Sequence, residues 1–275
     1  MPPLIACYHA VCSDWPGSSA VSESVLAAQV ALLRRRGYTG LTFSEMEQLW
    51  RQGELPPRTV AITFDDGYAS VLRAREILAA AGYPATVFVV TQFAESGSPL
   101  QWPGIDHWLE TEYASQMQPL SWDALESLQE VGWEIGSHTV THPRLPDLDD
   151  ATLARELAES RRAIAERVGD CRVLAYPYGE ADARVATAAA AAGYDAACAL
   201  SISHRVDEPF RRPRTGVYDH DRGVRLRMKI SPTFRYLRRS VAGRELEAVV
   251  RAVRRNGAAP QPQPTVERAP TRARR

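Results

Sequence analysis

The chain has 275 residues, of which 45% are hydrophobic, and its 33 basic and 33 acidic side chains give a formal net charge of zero. This composition indicates a globular protein with a sizeable core, either one large α/β barrel or two smaller domains. No apolar stretch approaches the roughly 20 residues that cross a bilayer, and the first residues do not resemble a signal peptide, so we expect a cytoplasmic protein. The four cysteines have no Cys-x-x-Cys spacing and are expected to be buried rather than to bind zinc or form disulfides.

Short apolar runs alternate with longer helical patterns through the first 200 residues. This alternation is typical of β-α units around a mainly parallel sheet. The predicted strands are residues 4–8, 38–43, 59–64, 85–90, 133–137, 173–176 and 195–200. The predicted helices begin at caps on Ser22 or Ser24, Ser44 and Ser121, or cover residues 68–81, 151–168 and 183–192.

A long segment, residues 91–119, interrupts this alternation after the fourth predicted strand. It carries Trp102, His107, Trp108 and Tyr113 among prolines and glycines. Long loops at the end of a strand are commonly functional. Two interpretations stay open: the segment contacts a substrate, or it is a lid that covers one end of the barrel.

Two adjacent carboxylates follow the third predicted strand, in the sequence Thr63-Phe64-Asp65-Asp66-Gly67. In α/β enzymes the carboxyl ends of parallel strands carry the catalytic residues. Two like charges side by side are costly unless their roles differ, and commonly one carboxylate binds a metal while the other transfers a proton. The alternative is a turn at the end of a strand that caps the next helix.

Two histidines four residues apart follow another predicted strand, in the sequence His138-Thr139-Val140-Thr141-His142. A single helical turn would bring both imidazoles onto one face. With one carboxylate they offer three protein ligands and leave coordination positions open, which is the arrangement of a catalytic zinc site; cobalt or nickel also suits these donors. The alternative is a solvated loop.

These two segments, followed by Ala175-Tyr176-Pro177-Tyr178-Gly179, resemble in order the first three motifs of the NodB-homology polysaccharide deacetylases. The similarity spans roughly residues 4–220, and within the family it is strongest to the poly-N-acetylglucosamine type. It implies a distorted, incomplete (β/α) barrel over residues 1–220 and metal-assisted removal of acetyl groups from N-acetylated sugars. A metal-dependent hydrolase of a cyclic amide or imide on the same barrel, and a non-catalytic carbohydrate-binding relative, are the alternative functions.

The resemblance also implies roles for individual residues. It makes Asp65 the general base, and it gives a divalent metal, Zn²⁺ by preference, three ligands: Asp66, His138 and His142. In the family a backbone amide of the tyrosine motif helps to hold the oxyanion of the tetrahedral intermediate. Because Pro177 has no N–H, Tyr178 is the candidate for this role.

Two family residues have no plain counterpart in this chain. Ala175 stands where the family has an arginine that steadies the catalytic aspartate, and Arg214 is the candidate substitute, although its basic cluster would also suit a surface. The acid that protonates the leaving amine is usually a histidine late in the sequence. His9 is preferred, because poly-N-acetylglucosamine-type deacetylases take this histidine from the N-terminal segment; His204 and His220 are the alternatives.

The last part of the chain is basic: residues 221–275 carry 15 Lys and Arg against 4 Asp and Glu, a net charge of +11. Residues 221–255 are predicted as a helical extension, which either packs on the barrel or contacts an anionic membrane at its inner face through the segment from Arg222 to Arg255. Residues 256–275 lack periodicity and are expected to be disordered. The arginines form no recognised nucleic-acid-binding module, so a nucleic-acid partner is not expected. The partner that the resemblance implies is an N-acetylated carbohydrate.

Overall fold

The computed structural model describes residues 3–200 and 208–239. Over these ranges the chain forms eleven β-strands and nine α-helices, joined by turns and short 3-10 helices. The strands are β1 (Leu4–Tyr8), β2 (Ala10–Val11), β3 (Ala20–Val21), β4 (Thr39–Leu41), β5 (Thr59–Phe64), β6 (Thr86–Val89), β7 (Glu134–Ser137), β8 (Val173–Ala175), β9 (Ala196–Ala199), β10 (Arg212–Pro213) and β11 (Thr215–Gly216). The α-helices are α1 (Glu23–Arg35), α2 (Phe43–Gln52), α3 (Ala74–Ala79), α4 (Thr91–Ser96), α5 (Trp122–Glu130), α6 (Asp150–Val168), α7 (Ala183–Ala191), α8 (Gly223–Ile230) and α9 (Pro232–Arg239).

The main sheet is parallel, and across the described residues its strands follow the order β10-β9-β8-β7-β6-β5-β1-β11, with β4 paired to the first half of β5. β10 and β11 are separated only by Arg214 and form one extended segment. This segment pairs with β9 through its first residues and with β1 through its last. It brings the two edges of the sheet together, so the sheet is nearly closed and the predicted incomplete (β/α) barrel is confirmed.

Alternate residues of the strands point into the barrel, as the two-residue period of a β-strand requires. Ile5, Ala61, Phe88 and Val173 belong to a buried interior cluster, whereas the residues between them pack against the surrounding helices. Strands buried on both faces read as continuous apolar runs, which is why they were visible in the sequence. The same alternation directs Asp65, four residues after Ala61, toward the interior.

Helix α2 fills the end of the barrel at which β6 begins. Its Phe43 and Met46 belong to the interior cluster. The helix starts with a capping box: the Thr42 hydroxyl accepts a hydrogen bond from the Glu45 amide, and the Glu45 carboxylate accepts one from the Thr42 amide. The predicted cap at Ser44 was therefore wrong by two residues, because the reciprocal Thr-x-x-Glu pairing satisfies two of the free amides at the helix start.

A buried ion pair ties α2 to the segment that closes the barrel. Glu47 accepts two hydrogen bonds from Arg212, at 2.7 and 2.8 Å, and both side chains are at most 5% exposed. The guanidinium also lies 4.0 Å from the ring centroid of Trp50. Because a bidentate pair fixes the orientation of the guanidinium, this contact anchors the closing segment two residues before Arg214.

Most predicted elements end within two residues of the observed ones. The predicted helix over residues 68–81 is divided into a 3-10 helix, Ala69–Arg73, and the short α3. Residues 91–119, predicted as a loop, contain α4 and two 3-10 helices, Asp106–Glu110 and Ala114–Met117. The four cysteines are buried and unpaired, as their spacing predicted.

The basic C-terminal extension packs on the barrel as far as it is described. Leu226 and Ile230 of α8 join the barrel core, and Tyr38 donates a hydrogen bond to the Ile230 carbonyl at 2.7 Å. Among the described helices, none is long and apolar enough to cross a membrane. The membrane contact, the domain boundaries at residues 220 and 255 and the cytoplasmic location stay predictions, and the expected disordered tail, residues 256–275, lies outside the described residues.

Replacing Glu47 by Leu should destabilise the fold, because it removes a buried carboxylate that accepts two hydrogen bonds from the Arg212 guanidinium. We expect the free energy of unfolding to fall by about 3–5 kcal/mol. Urea denaturation followed by circular dichroism measures the change. As a control, Glu166→Leu breaks the exposed Arg162–Glu166 pair on α6 and should cost no more than about 0.5 kcal/mol. Equal losses in the two variants would contradict a special role for the buried pair.

Candidate active site

The predicted site residues lie at the carboxyl ends of neighbouring strands. His9 follows β1, the two aspartates follow β5, His138 follows β7 and the segment with Tyr178 follows β8. Strand pairing continues one residue beyond β5 and β7: the Asp65 amide donates to the last carbonyl of β1 at 3.0 Å, and the His138 amide donates to the last carbonyl of β6 at 2.8 Å. The hydrogen bonds between the strands therefore fix the backbone positions of Asp65 and His138, from which their side chains extend.

Asp66, His138 and His142 converge on one point. Asp66 Oδ1 lies 3.3 Å from His138 Nε2 and 3.5 Å from His142 Nε2, and all three side chains are buried. One ligand atom from each residue lies within 4.8 Å of the other two. Two ligands held tetrahedrally at about 2.0–2.1 Å from one zinc ion are about 3.3 Å apart, so this spacing fits a divalent ion.

The hydrogen bond of His138 to the backbone orients its ring. His138 Nδ1 lies 2.7 Å from the carbonyl oxygen of Ala175. A carbonyl can only accept, so Nδ1 carries the hydrogen and Nε2 faces Asp66. This is the arrangement in which a backbone carbonyl fixes the tautomer of a metal-ligating histidine.

The two imidazoles differ in their electrostatics. Burial lowers the pKa of His138, but the hydrogen bond to Asp66 and the charges of both aspartates outweigh burial, so the pKa is raised overall. Burial and the charge of neighbouring His138 lower the pKa of His142 to about 3. His142 is therefore neutral at physiological pH, which is the protonation state that binds a metal.

Residues 138–142 form a tight loop and not the single helical turn that the spacing predicted. Thr139 and His142 have φ angles of 69° and 62°. This left-handed region is costly for residues other than glycine, and most of all for a β-branched one. The Thr139 hydroxyl accepts a hydrogen bond from the His142 amide at 3.1 Å. The two imidazoles are thus brought together by a strained turn, and the prediction of helical geometry was wrong.

Two buried polar residues of α6 support this loop, and neither was identified from the sequence. Glu156 accepts hydrogen bonds from the amides of Val140 and Thr141, at 2.9 and 3.0 Å, and from the Thr141 hydroxyl at 2.8 Å. Ser160 accepts a hydrogen bond from Ser137, the last residue of β7, at 2.8 Å. The available signal was a pair of polar residues one turn apart within the apolar stripe of α6.

Asp65 is paired with Arg214 inside the barrel. The guanidinium donates two hydrogen bonds, at 2.5 Å to Oδ1 and 2.6 Å to Oδ2, and both side chains are buried. Burial raises the pKa of Asp65, but the charge and hydrogen bonds of Arg214, with the nearby imidazoles, hold that pKa well below its usual range. Asp65 is therefore ionised at physiological pH, and the candidate substitute for the missing family arginine contacts it directly.

Two further side chains approach the Asp65 carboxylate. His9 Nε2 lies 4.0 Å from Asp65 Oδ2, and the imidazole is 22% exposed. The Cys7 thiol donates to the same oxygen at 3.5 Å. Of the other candidates for the acid, His204 lies outside the described residues, and His220 has 58% of its side chain exposed.

The loop after β8 keeps a backbone donor next to the imidazoles. The Tyr176 amide donates to the Cys198 carbonyl at 3.1 Å, whereas the Tyr178 amide has no acceptor within residues 3–200 and 208–239. Tyr178 has a φ of 58°, and its ring meets the His142 ring edge-on with the centroids 4.8 Å apart. With Pro177 unable to donate, Tyr178 supplies the uncommitted N–H of this loop.

The segment 91–119 lies against the histidine loop. Trp102 stacks on the His142 ring with the centroids 4.1 Å apart. The amides of Thr91 and Gln92 donate to backbone carbonyls of the loop at 3.2 and 3.0 Å. The segment therefore packs beside the histidine loop, and both its contact with a substrate and its role as a lid stay predictions.

Residues 52–197, more than half of the chain, match the family described as polysaccharide deacetylase. The chain belongs to the polysaccharide deacetylase family. The match confirms the family that the three motifs predicted. The matched residues include both aspartates, both histidines of the loop and Tyr178. His9 and Arg214 lie outside them.

The relatives of this polysaccharide deacetylase chain include YxkH of Bacillus subtilis, 28% identical over 193 residues, which are 69% of this chain and 61% of that protein. The poly-β-1,6-N-acetyl-D-glucosamine N-deacetylase of Escherichia coli K12 is 32% identical over 121 residues, which are 43% of this chain and 17% of the enzyme. The chain thus spans less than two thirds of either relative. The Streptococcus pyogenes deacetylase PplD, solved with acetate, has the same fold, with a TM-score of 0.73, 20% identity and coverage of 84% of this chain and 99% of that one.

Replacing Arg214 by Met should destabilise the metal-free protein, because Asp65 would stay buried without its counter-ion. We expect a loss of about 3–5 kcal/mol at neutral pH, and a smaller loss for Arg214→Lys, which keeps the charge without the bidentate geometry. The folded-state pKa of Asp65 is lowered, so the pair contributes stability above the unfolded pKa of about 3.9 and loses it as the pH falls further. The difference between wild type and Arg214→Met should therefore shrink toward about pH 3.

Urea denaturation at a series of pH values, with a chelator present, measures this difference. The control is Arg144→Met, which removes the exposed contacts with Glu180 and Asp147 and should cost less than about 1 kcal/mol, with a correspondingly small change with pH. If the loss in Arg214→Met did not change with pH, its origin would be packing and not the ion pair.

Proposed function

We propose that this protein is a metal-dependent N-deacetylase that hydrolyses acetamido groups of an N-acetylated sugar. The observation that carries the proposal is the separation of two adjacent carboxylates: Asp66 faces two imidazoles, and Asp65 faces Arg214. One carboxylate is thus available as a metal ligand and the other as a proton acceptor, within one site.

The ligands of the ion in this proposal are Asp66, His138 and His142. Two nitrogen donors and a carboxylate favour Zn²⁺, with Co²⁺ or Ni²⁺ as alternatives. When bound, such an ion supplies a Lewis acid that polarises the amide carbonyl and lowers the pKa of water. Three protein donors leave a tetrahedral site incomplete, which is expected of a catalytic and not of a structural ion.

Asp65 is the proposed acceptor of the proton of the attacking water. Arg214 donates one hydrogen bond to each carboxylate oxygen, which fixes the plane of the carboxylate and leaves further lone pairs on both oxygens. The same pairing lowers the pKa of Asp65, so this carboxylate is a weak base. A weak base works only on a water that has become acidic, which explains why base and metal ligand would be neighbours in the chain.

Two groups complete the proposed mechanism. The Tyr178 amide donates a hydrogen bond to the oxyanion that forms when water adds to the carbonyl. His9, whose Nε2 lies 4.0 Å from Asp65 Oδ2, protonates the leaving amine. The acid and the base would then lie side by side at the end of β1 and β5.

The proposed substrate is a glycan or glycoconjugate that contains N-acetylglucosamine. The Escherichia coli relative is named for poly-β-1,6-N-acetyl-D-glucosamine, which supports this class. Hydrolysis of a cyclic amide or imide and carbohydrate binding without catalysis are the competing functions. Binding alone would not need a buried, ionised Asp65 beside the metal ligands.

An acetate-release assay tests the proposal. Purified protein is incubated with β-1,6- and β-1,4-linked N-acetylglucosamine oligomers and, separately, with a cyclic imide. We expect acetate from at least one oligomer, loss of activity with a chelator and recovery with Zn²⁺. Ring opening of the imide without acetate release would favour the first competing function, and binding of oligomers without either reaction would favour the second.

Two variants separate the roles of the aspartates in the same assay. Asp65→Asn should keep the metal and lose turnover by roughly a hundredfold or more, the scale of general base catalysis. Asp66→Asn should lose the metal first. Metal content of the purified variants, with acetate release, measures both effects; the reverse pattern would exchange the two roles.

His9→Ala should slow turnover without changing metal content, because it removes the proposed acid and no ligand. The alkaline limb of the pH–rate profile should disappear with it. His220→Ala is the matched control, since His220 is exposed, and it should leave the rate unchanged. If instead His204→Ala abolished turnover and His9→Ala did not, the acid would be the late histidine.

A further inference from the structure

The two histidines of the candidate metal site are held in different ways. The Nδ1 atom of His138 is 2.7 Å from the Ala175 carbonyl. The Nδ1 atom of His142 is buried, and it has no hydrogen-bond partner among the described residues. Histidines that ligate a metal almost always donate their second ring N–H to a carboxylate, a carbonyl or water, and this bond fixes the ring orientation. His142 therefore needs another constraint.

Aromatic rings supply contacts on several sides of His142. The Trp102 ring lies parallel to it, with a centroid distance of 4.1 Å and an interplanar angle of 23°. Tyr178 and His138 make T-shaped contacts with it, with centroid distances of 4.8 and 4.9 Å. The stacked Trp102 ring is the contact that limits rotation of the imidazole about the bond to its Cβ atom, because a face-to-face contact is lost as soon as the ring turns.

Trp102 is itself fixed in place. Its ring also packs on Phe93, with a centroid distance of 5.8 Å and an interplanar angle of 57°. Only 7% of Trp102 is exposed. A sugar ring needs an accessible aromatic face, so Trp102 is poorly suited to a substrate contact by segment 91–119.

We propose that Trp102 is a positioning residue that holds the His142 imidazole in the orientation for metal binding, in place of a hydrogen bond from His142 Nδ1, for which the described residues offer no partner. The proposal rests on the proposed function, in which His142 is a ligand. An imidazole that donates its lone pair to a divalent ion becomes more positive, and a positive group over an indole face is favoured. Stacking and metal binding should therefore strengthen each other.

Metal affinity of full-length variants tests the proposal without any substrate. The metal-free protein is titrated with Zn²⁺ alone in competition with a chromophoric chelator. Trp102→Leu and Trp102→Met remove the ring and should weaken Zn²⁺ binding roughly tenfold or more, the range for residues that orient metal ligands. Trp102→Phe keeps an aromatic face, and its Zn²⁺ affinity should fall clearly less than that of the Leu and Met variants. Met adapts to irregular buried space, so a folded variant without the ring is available even if Leu disturbs the packing.

The matched control is Trp108→Leu, a change in the same segment at a tryptophan without a ring contact to His142 among the described residues. It should bind Zn²⁺ like the wild type. Equal affinity of the wild type and the ring-free variants, or equal losses in the Phe, Met and Leu variants, would overturn the positioning role and leave the proposed function intact. Failure of both the wild type and Trp108→Leu to bind Zn²⁺ would overturn the metal site and the positioning role together.

Discussion

The ion pair between Asp65 and Arg214 is the interaction on which the rest of the site depends. Two neighbouring buried carboxylates repel each other, and one of them would otherwise take up a proton. Arg214 neutralises Asp65 through two hydrogen bonds, so Asp66 can face His138 and His142 as an anion. Arg214 occupies this position because the segment of β10 and β11 crosses from β9 to β1. Closure of the barrel and the electrostatics of the site therefore have one structural cause.

Backbone strain is concentrated around the same residues. Among the described residues, five non-glycine positions have positive φ, and four of them are Asp66, Thr139, His142 and Tyr178. Each such conformation costs on the order of 1–3 kcal/mol and persists only where surrounding contacts determine it. Glu156 provides such contacts by accepting two consecutive amides of the histidine loop. The free-energy cost of arranging the candidate metal ligands is thus part of folding, and metal binding would need little further reorganisation of the backbone.

The sequence predicted the barrel because its parallel strands are buried on both faces and leave apolar runs of the right length. It also identified the residues that meet at the carboxyl ends of the strands, because each follows such a run. The conformation of the histidine loop was beyond prediction, since no side-chain pattern marks a positive φ at a threonine. The two-residue period puts both Arg212 and Arg214 inside the barrel at different depths, but only the three-dimensional contacts assign the first to Glu47 and the second to Asp65.

The site combines a permanent charge pair with a conditional one. Asp65 and Arg214 both stay charged across the physiological range, because each lowers the energy of the other's charged form. The partner of Asp66 depends on whether an ion is bound. The hydrogen bond to Asp66 and the charges of both aspartates raise the pKa of His138, which favours a proton on its Nε2, beside the Asp66 oxygen, when no ion is bound. His142, with its pKa near 3, offers a lone pair at any working pH. A proton and a divalent ion would therefore compete at His138, while Arg214 keeps Asp65, the carboxylate proposed as the base, ionised in either case.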